Sequence, residues 1–217
     1  MDTWVTICLL LEFIVFLISA LHFKKLKERG LGSFPFFLFL NFAGELLGVF
    51  LALKFHNNIV FYNIFSILQI IYYLVLIRGN IMGKKARKAV LITIIVFVAF
   101  SLVNYFFIQK LNKELESYTF TLGCLLISVW VVYFFSEMIL SKEVENCQEH
   151  PFFWIALGLF IFYVCNIPYM SVYNYLANNY AAVFNAYFSI IEILSYTMYS
   201  FFIIGILCTN RKKSRLR

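Results

Sequence analysis

The chain has little that breaks a helix and little that carries charge. Its 217 residues hold three prolines, nine glycines, a single aspartate (Asp2) and only 13% charged side chains. That excludes a collagen-like fibre and a Pro- or Gly-rich disordered chain. Five cysteines without a Cys-x-x-Cys pair give neither a disulfide frame nor a redox motif; four lie in or at the ends of apolar runs, and Cys147 lies in a link. What fills the chain instead is apolar: 63% hydrophobic and 20% aromatic residues, with 27 Phe. A soluble domain of this size needs more polar surface than this composition provides. The fold class that remains is all-α, a polytopic membrane bundle.

A bilayer core about 30 Å thick asks for roughly 20 apolar residues of helix. Seven such runs are predicted, at residues 3–23, 34–53, 59–77, 89–109, 118–140, 152–176 and 183–208. The first has no basic leader and no small-residue cleavage site, so it reads as a span rather than a signal peptide. Fifteen of the eighteen Lys and Arg fall in the first, third and fifth links and in the segment 209–217; only Lys54, Lys110 and Lys113 fall on the other side. The positive-inside rule then puts the N-terminus outside and the C-terminus in the cytoplasm, as an odd number of spans requires. The expected location is the inner (plasma) membrane of a bacterium. The formal charge of +7 is topology information and attraction to anionic lipid, not a nucleic-acid footprint. With no Lys inside any span, retinal cannot be held as a Schiff base. The segment 209–217 is basic and too short for an output domain, so any signal would pass to a separate cytoplasmic protein.

Enzyme signatures are few. His22, His56 and His150 sit at span ends or in links on different sides, so they cannot build an intramembrane zinc site. Gly-x-Ser-x-Gly, His-Glu-x-x-His and paired Asp motifs do not occur, and no cofactor is expected.

Slid against itself by 116 positions, the chain aligns Thr3 with Thr119, Cys8-Leu9-Leu10 with Cys124-Leu125-Leu126, and Pro35-Phe36-Phe37 with Pro151-Phe152-Phe153. A shift of 123 matches Ser66-Ile67-Leu68-Gln69 with Ser189-Ile190-Ile191-Glu192. Two readings stand: Phe-rich helices align easily, or residues 1–77 and 118–208 are parallel repeats joined by a linker helix at 89–109. The second gives a 3+1+3 plan similar to that of SWEET-type sugar carriers and, more remotely, of opsins. The Pro-Gln signature of those carriers is absent, so only the plan is shared.

The polar residues inside the runs are the candidates for chemistry. Counting at 1.5 Å per residue puts Glu12, Glu45, Gln69 and Glu192 at the same level, near the midplane. Asn41 lies one turn from Glu45 on the same helical face. A charged carboxylate there costs about 2.5–3.5 kcal/mol, and no basic group is near. The glutamates must be protonated, hydrogen-bonded as interhelical glue, or turned to a wet cavity that binds a proton or small solute. Glu45 and Glu192 are the first choices for such a site. A second cluster near the outer ends of the sixth and seventh runs includes Asn166, Tyr169, Tyr173 and Asn185, with Asn63 at matching height on the third. It reads either as an interfacial aromatic belt or as the mouth of an outward pocket. Pro168 interrupts the sixth run, and Gly44 and Gly48 make a small-xxx-small step for close packing.

Three stretches carry a further likeness: Asn57-Asn58 before Phe61-Tyr62-Asn63-Ile64-Phe65, the run from Asn41 to Glu45, and Phe153-Trp154-Ile155 leading to Phe162-Tyr163. The chain resembles a group of small uncharacterised bacterial seven-helix proteins, and related bundles serve as membrane input modules of signalling proteins. The seven runs make one expected domain over residues 1–208, and the resemblance carries over no activity, ligand or catalytic residue. Three classes of function stay open: binding or transport of a small solute, with or without protons; a sensor or accessory subunit; and a lipid-modifying enzyme using Glu45 and Glu192 as acid and base.

Overall fold

The computed structural model describes residues 3–109, 114–141 and 149–209, with the side chains of residues 3–5 and of residue 185 outside that description. The described chain is helical, without a strand. Its elements are α1 (Thr3–Leu21), the short α2 (Phe23–Glu28), α3 (Phe34–Phe55), α4 (Ile59–Asn80), α5 (Lys84–Val103), α6 (Ser117–Leu140), α7 (Pro151–Asn179) and α8 (Ala181–Cys208). A π-helical turn, Asn104–Ile108, closes α5. Six of these, α3 to α8 with the π turn included in the third, are long and apolar enough to cross a membrane. The protein is a multi-pass integral membrane protein whose outer faces meet lipid. Apolar α1 is shorter, at 19 residues.

Local chemistry sets the ends. Pro35 and Pro151 stand in the first turns of α3 and α7, where a missing N–H costs nothing. Helix α2 ends in a left-handed Gly30 (φ 78°), with the Leu31 N–H donating to the Leu26 carbonyl at 2.8 Å and both leucines buried. The Glu137 carboxylate of α6 accepts from the Met82 and Gly83 backbone N–H groups (2.8 and 3.1 Å), so an acid caps the start of α5. That start comes earlier than the expected residue 89. Lys84, Lys85, Arg87 and Lys88 form its first turns, since long basic stems lie along apolar surface while their heads reach water.

The 177–182 link narrows to one residue, Tyr180, between α7 and α8. Polar Asn and Ala residues there extend both helices instead of breaking them. At about 1.5 Å per residue, the 29 and 28 residues of α7 and α8 reach roughly 42–43 Å, well beyond a 30 Å core.

Helices α3, α1, α8, α7, α6 and α4 follow one another round a ring, and α5 lies outside it against α4 and α6. The α7–α8 pair is tightest: a Cβ on Gly158 would stand 3.0 Å from the Met198 carbonyl oxygen, and one on Gly205 would stand 2.7 Å from that of Pro151. Between α3 and α4 the backbones stay apart. There the Gly44 and Gly48 step seats side chains, the Phe65 ring and the Tyr62 phenol, rather than a helix backbone. The core gathers at the end that carries the basic links, with Leu26, Leu31, Phe34, Ile77, Phe152 and Phe202 fully buried.

Candidate functional site

Toward the other end, the ring opens around a cavity of about 780 Å³. Helical periodicity explains which residues face it. Helix α1 gives Cys8 and Glu12, one turn apart; α3 gives Asn41, Glu45, Val49 and Ala52; α4 gives Ile59, Tyr62, Ser66, Gln69 and Tyr73. Helix α8 adds Phe188, Glu192, Ser195 and Tyr199, and α7 adds Tyr163, Tyr169, Tyr173 and Asn174. No described residue of α5 reaches it. The rim runs through Asn58, residues 114–116, Ala177 and Asn178, all in or beside the three links at this end.

Five residues singled out from the sequence therefore share one wall system: Glu12, Asn41, Glu45, Gln69 and Glu192. Two carboxyls are held by phenols. The Tyr199 hydroxyl donates to Glu12 Oε1 at 2.7 Å, and the Tyr62 hydroxyl to Glu45 Oε2 at 2.9 Å. Gln69 Nε2 donates to Asn41 Oδ1 at 3.2 Å and ties α4 to α3. The second oxygen of Glu12 is buried and makes no hydrogen bond. Cys8 lies within electrostatic reach of all three glutamates, and Glu12 within reach of Glu45. None of the described lining residues is Lys, Arg or His. No group of three His, Cys, Asp or Glu among the described residues is set to hold a metal ion.

The residues expected at the mouth divide. Tyr169 and Tyr173 line the cavity, their rings 5.3 Å apart and edge to face, and Tyr169 stacks on Tyr187 at 5.5 Å. The buried Tyr169 hydroxyl has no hydrogen-bond partner. Asn63 is turned to the link instead: its Nδ2 donates to the Glu114 carbonyl (3.1 Å) and its Oδ1 accepts from the Glu116 N–H (2.9 Å). It braces the rim from behind, because a buried backbone needs partners for its own N–H and C=O groups. Asn166 is buried and bonds back along its own helix, Nδ2 to the Phe162 carbonyl at 2.8 Å. The Asn185 side chain lies outside the described residues.

Sequence reasoning missed most of the rim's polar network. Asn104 Nδ2 donates to Gln109 Oε1 and to Thr119 Oγ1, both at 2.9 Å, and Gln109 Nε2 donates to Ser117 Oγ at 3.2 Å. Asn174 Nδ2 donates to the Leu115 carbonyl at 2.9 Å. Glu116 is nearly enclosed, and this burial pushes its carboxyl above the usual carboxylate range while Thr119 and Asn104 pull it back. The only forewarning was the density of Asn, Gln and Ser beside the 110–117 link.

Comparison of the chain with protein families, with curated proteins and with solved structures finds no match.

Proposed function

We propose that the protein is a seven-pass carrier, N-terminus outside and C-terminus cytoplasmic, that takes a small solute into an outward-facing carboxylate cavity. The observation that carries the reading is one cavity with Glu12, Glu45 and Glu192 between its helices, Glu114 and Glu116 at its rim, and no described basic counter-charge in its lining. Carboxyls serving only as glue would face one another across a dry seam, not a space of about 780 Å³. Helix α1 is the seventh span in this reading. Its 19 residues reach about 28 Å, and it packs against α3 and α8 with Glu12 on the cavity side. The positive-inside rule turns the cavity outward, because the links that ring it hold few Lys and Arg. The 3+1+3 plan agrees with a peripheral α5.

A second reading draws on the packed basic end. A bundle sealed on that side also suits a receptor that passes ligand binding to a cytoplasmic protein, as the resemblance to input modules would have it. One experiment separates the two. In a cysteine-free background, Ser66→Cys is placed in liposomes of known orientation and treated with a membrane-impermeant thiol reagent. Transport predicts labelling from either face, as the cavity opens alternately. A receptor predicts labelling from the outer face alone. No labelling from either face would end both readings.

A further inference from the structure

The chemistry of the cavity wall names its ligand class. Glu12 is a lining residue only 5% exposed; its Oε1 is taken by Tyr199, and its Oε2 is buried without a partner. A buried carboxylate oxygen left bare costs more than a made hydrogen bond returns, so the site is suited to a donor that the protein does not supply. A donor that also brings positive charge suits this wall best, since Glu12, Glu45 and Glu192 share the space with Glu114 and Glu116 at its rim and none of the described lining residues is Lys, Arg or His.

A bare metal ion does not fit. No three acidic, His or Cys groups among the described residues converge to chelate one, and the volume far exceeds any single ion. The rest of the wall is aromatic and apolar, with Tyr62, Phe65, Phe120, Tyr163 and Tyr199 among it. Such faces attract a cation and cover an apolar body at once. Lys54 does not compete from the rim: its ammonium lies 5.5 Å from the Phe50 ring centre and 5.4 Å from that of Phe55, and both rings are exposed.

We infer that the cavity binds a protonated organic amine, its N–H donating to Glu12 Oε2 with Glu45 and Glu192 nearby, and its apolar body against the aromatic wall. This rests on the solute-cavity reading and gives it a substrate class. The bare oxygen asks for an N–H, so a protonated amine is preferred over a quaternary ammonium ion of the same shape. An alcohol offers no charge and a carboxylate the wrong one.

The test titrates the purified full-length protein calorimetrically at pH 7 with four probes of one shape: cyclohexylammonium, N,N,N-trimethylcyclohexylammonium, cyclohexanol and cyclohexanecarboxylate. Cyclohexylammonium is expected to bind at least about tenfold more tightly than each of the others, and Glu12→Gln to weaken it by about tenfold or more. Tyr199→Phe, a milder change at the same carboxyl, is the second variant should Glu12→Gln fail to fold. It should keep the order of the four probes. Equal binding of the alcohol or the carboxylate, or no binding of any probe, overturns the inference. Labelling of Ser66→Cys from outside alongside such a result leaves the cavity reading standing and removes only the amine. Absence of labelling removes both.

Discussion

The two halves of this bundle are made from the same helices and do opposite things. At the basic end, Phe34 of α3, Ile77 of α4, Phe134 of α6, Phe152 of α7 and Phe202 of α8 interlock out of contact with solvent or lipid. Phe34 meets Phe202 edge to face at 5.3 Å, and Phe134 meets Phe152 at 4.8 Å. Toward the other end the helices diverge around the cavity, and residues 175 and 177–183 are exposed. Helix α8 shows the change within one element, with Glu192 and Tyr199 on the cavity and Phe202 and Ile206 in the packed core. Cohesion is concentrated away from the cavity. The cavity end is left with unsatisfied polar groups and volume that close packing would have removed.

Four measurements test that contrast. The largest effect belongs to the packed end. Phe202→Ala should lower stability by about 3–5 kcal/mol in reversible unfolding from mixed micelles, whereas half-buried Phe65→Ala should cost clearly less. Equal losses would mean that the cavity wall is packed as firmly as the core. Next, Gly158→Ala should cost about 1–3 kcal/mol, because the new methyl presses on the Met198 backbone of α8. Gly44→Ala should cost less, since only the Phe65 ring has to swing away and the cavity offers it room.

Third, Tyr199→Phe removes the donor to Glu12 and should cost about 1.5–3 kcal/mol if that carboxyl is ionised, and about 1 kcal/mol if it is protonated. The same unfolding assay reads both. The smallest effect is at the rim. The Glu116 carboxyl titrates above its ordinary value of 4.5 in the folded protein because the rim encloses it. The folded state thus holds this proton more tightly than the unfolded one, and stability falls as pH rises from the ordinary value through the folded one. Glu116→Gln should match the parent below that window and gain slightly in melting temperature above it. A constant difference across pH would place Glu116 in water.

Spacing along each helix was readable in the sequence and direction was not. The level of Glu12, Glu45, Gln69 and Glu192 follows from counting residues along a helix of fixed rise. Which way each faces does not, because a span that is apolar all round carries no polar stripe to orient it. Nothing in the sequence therefore sets Tyr62 and Tyr199, the phenols that hold Glu45 and Glu12, apart from the other tyrosines. The rim was hidden for a different reason. Asn104 and Gln109 act through the π turn Asn104–Ile108, and Asn63 through backbone atoms of a link. Irregular geometry of this kind leaves no period to read. The Gly44 and Gly48 step signalled closeness, but not that rings would fill it.

The hydrogen bond between Glu12 and Tyr199 joins residues 187 positions apart. A ribosome delivers the first of these long before the last. At ordinary elongation rates of about 5–20 residues per second, the carboxyl of α1 waits roughly ten to forty seconds for its phenol. Over that interval the nascent chain holds an incomplete wall, and only the final hairpin, α7 with α8, brings Tyr199 into place. A chain cut short before that hairpin would keep the apolar helices that anchor it in lipid and lack the finished pocket. The closed wall of the cavity is the last thing that synthesis confers.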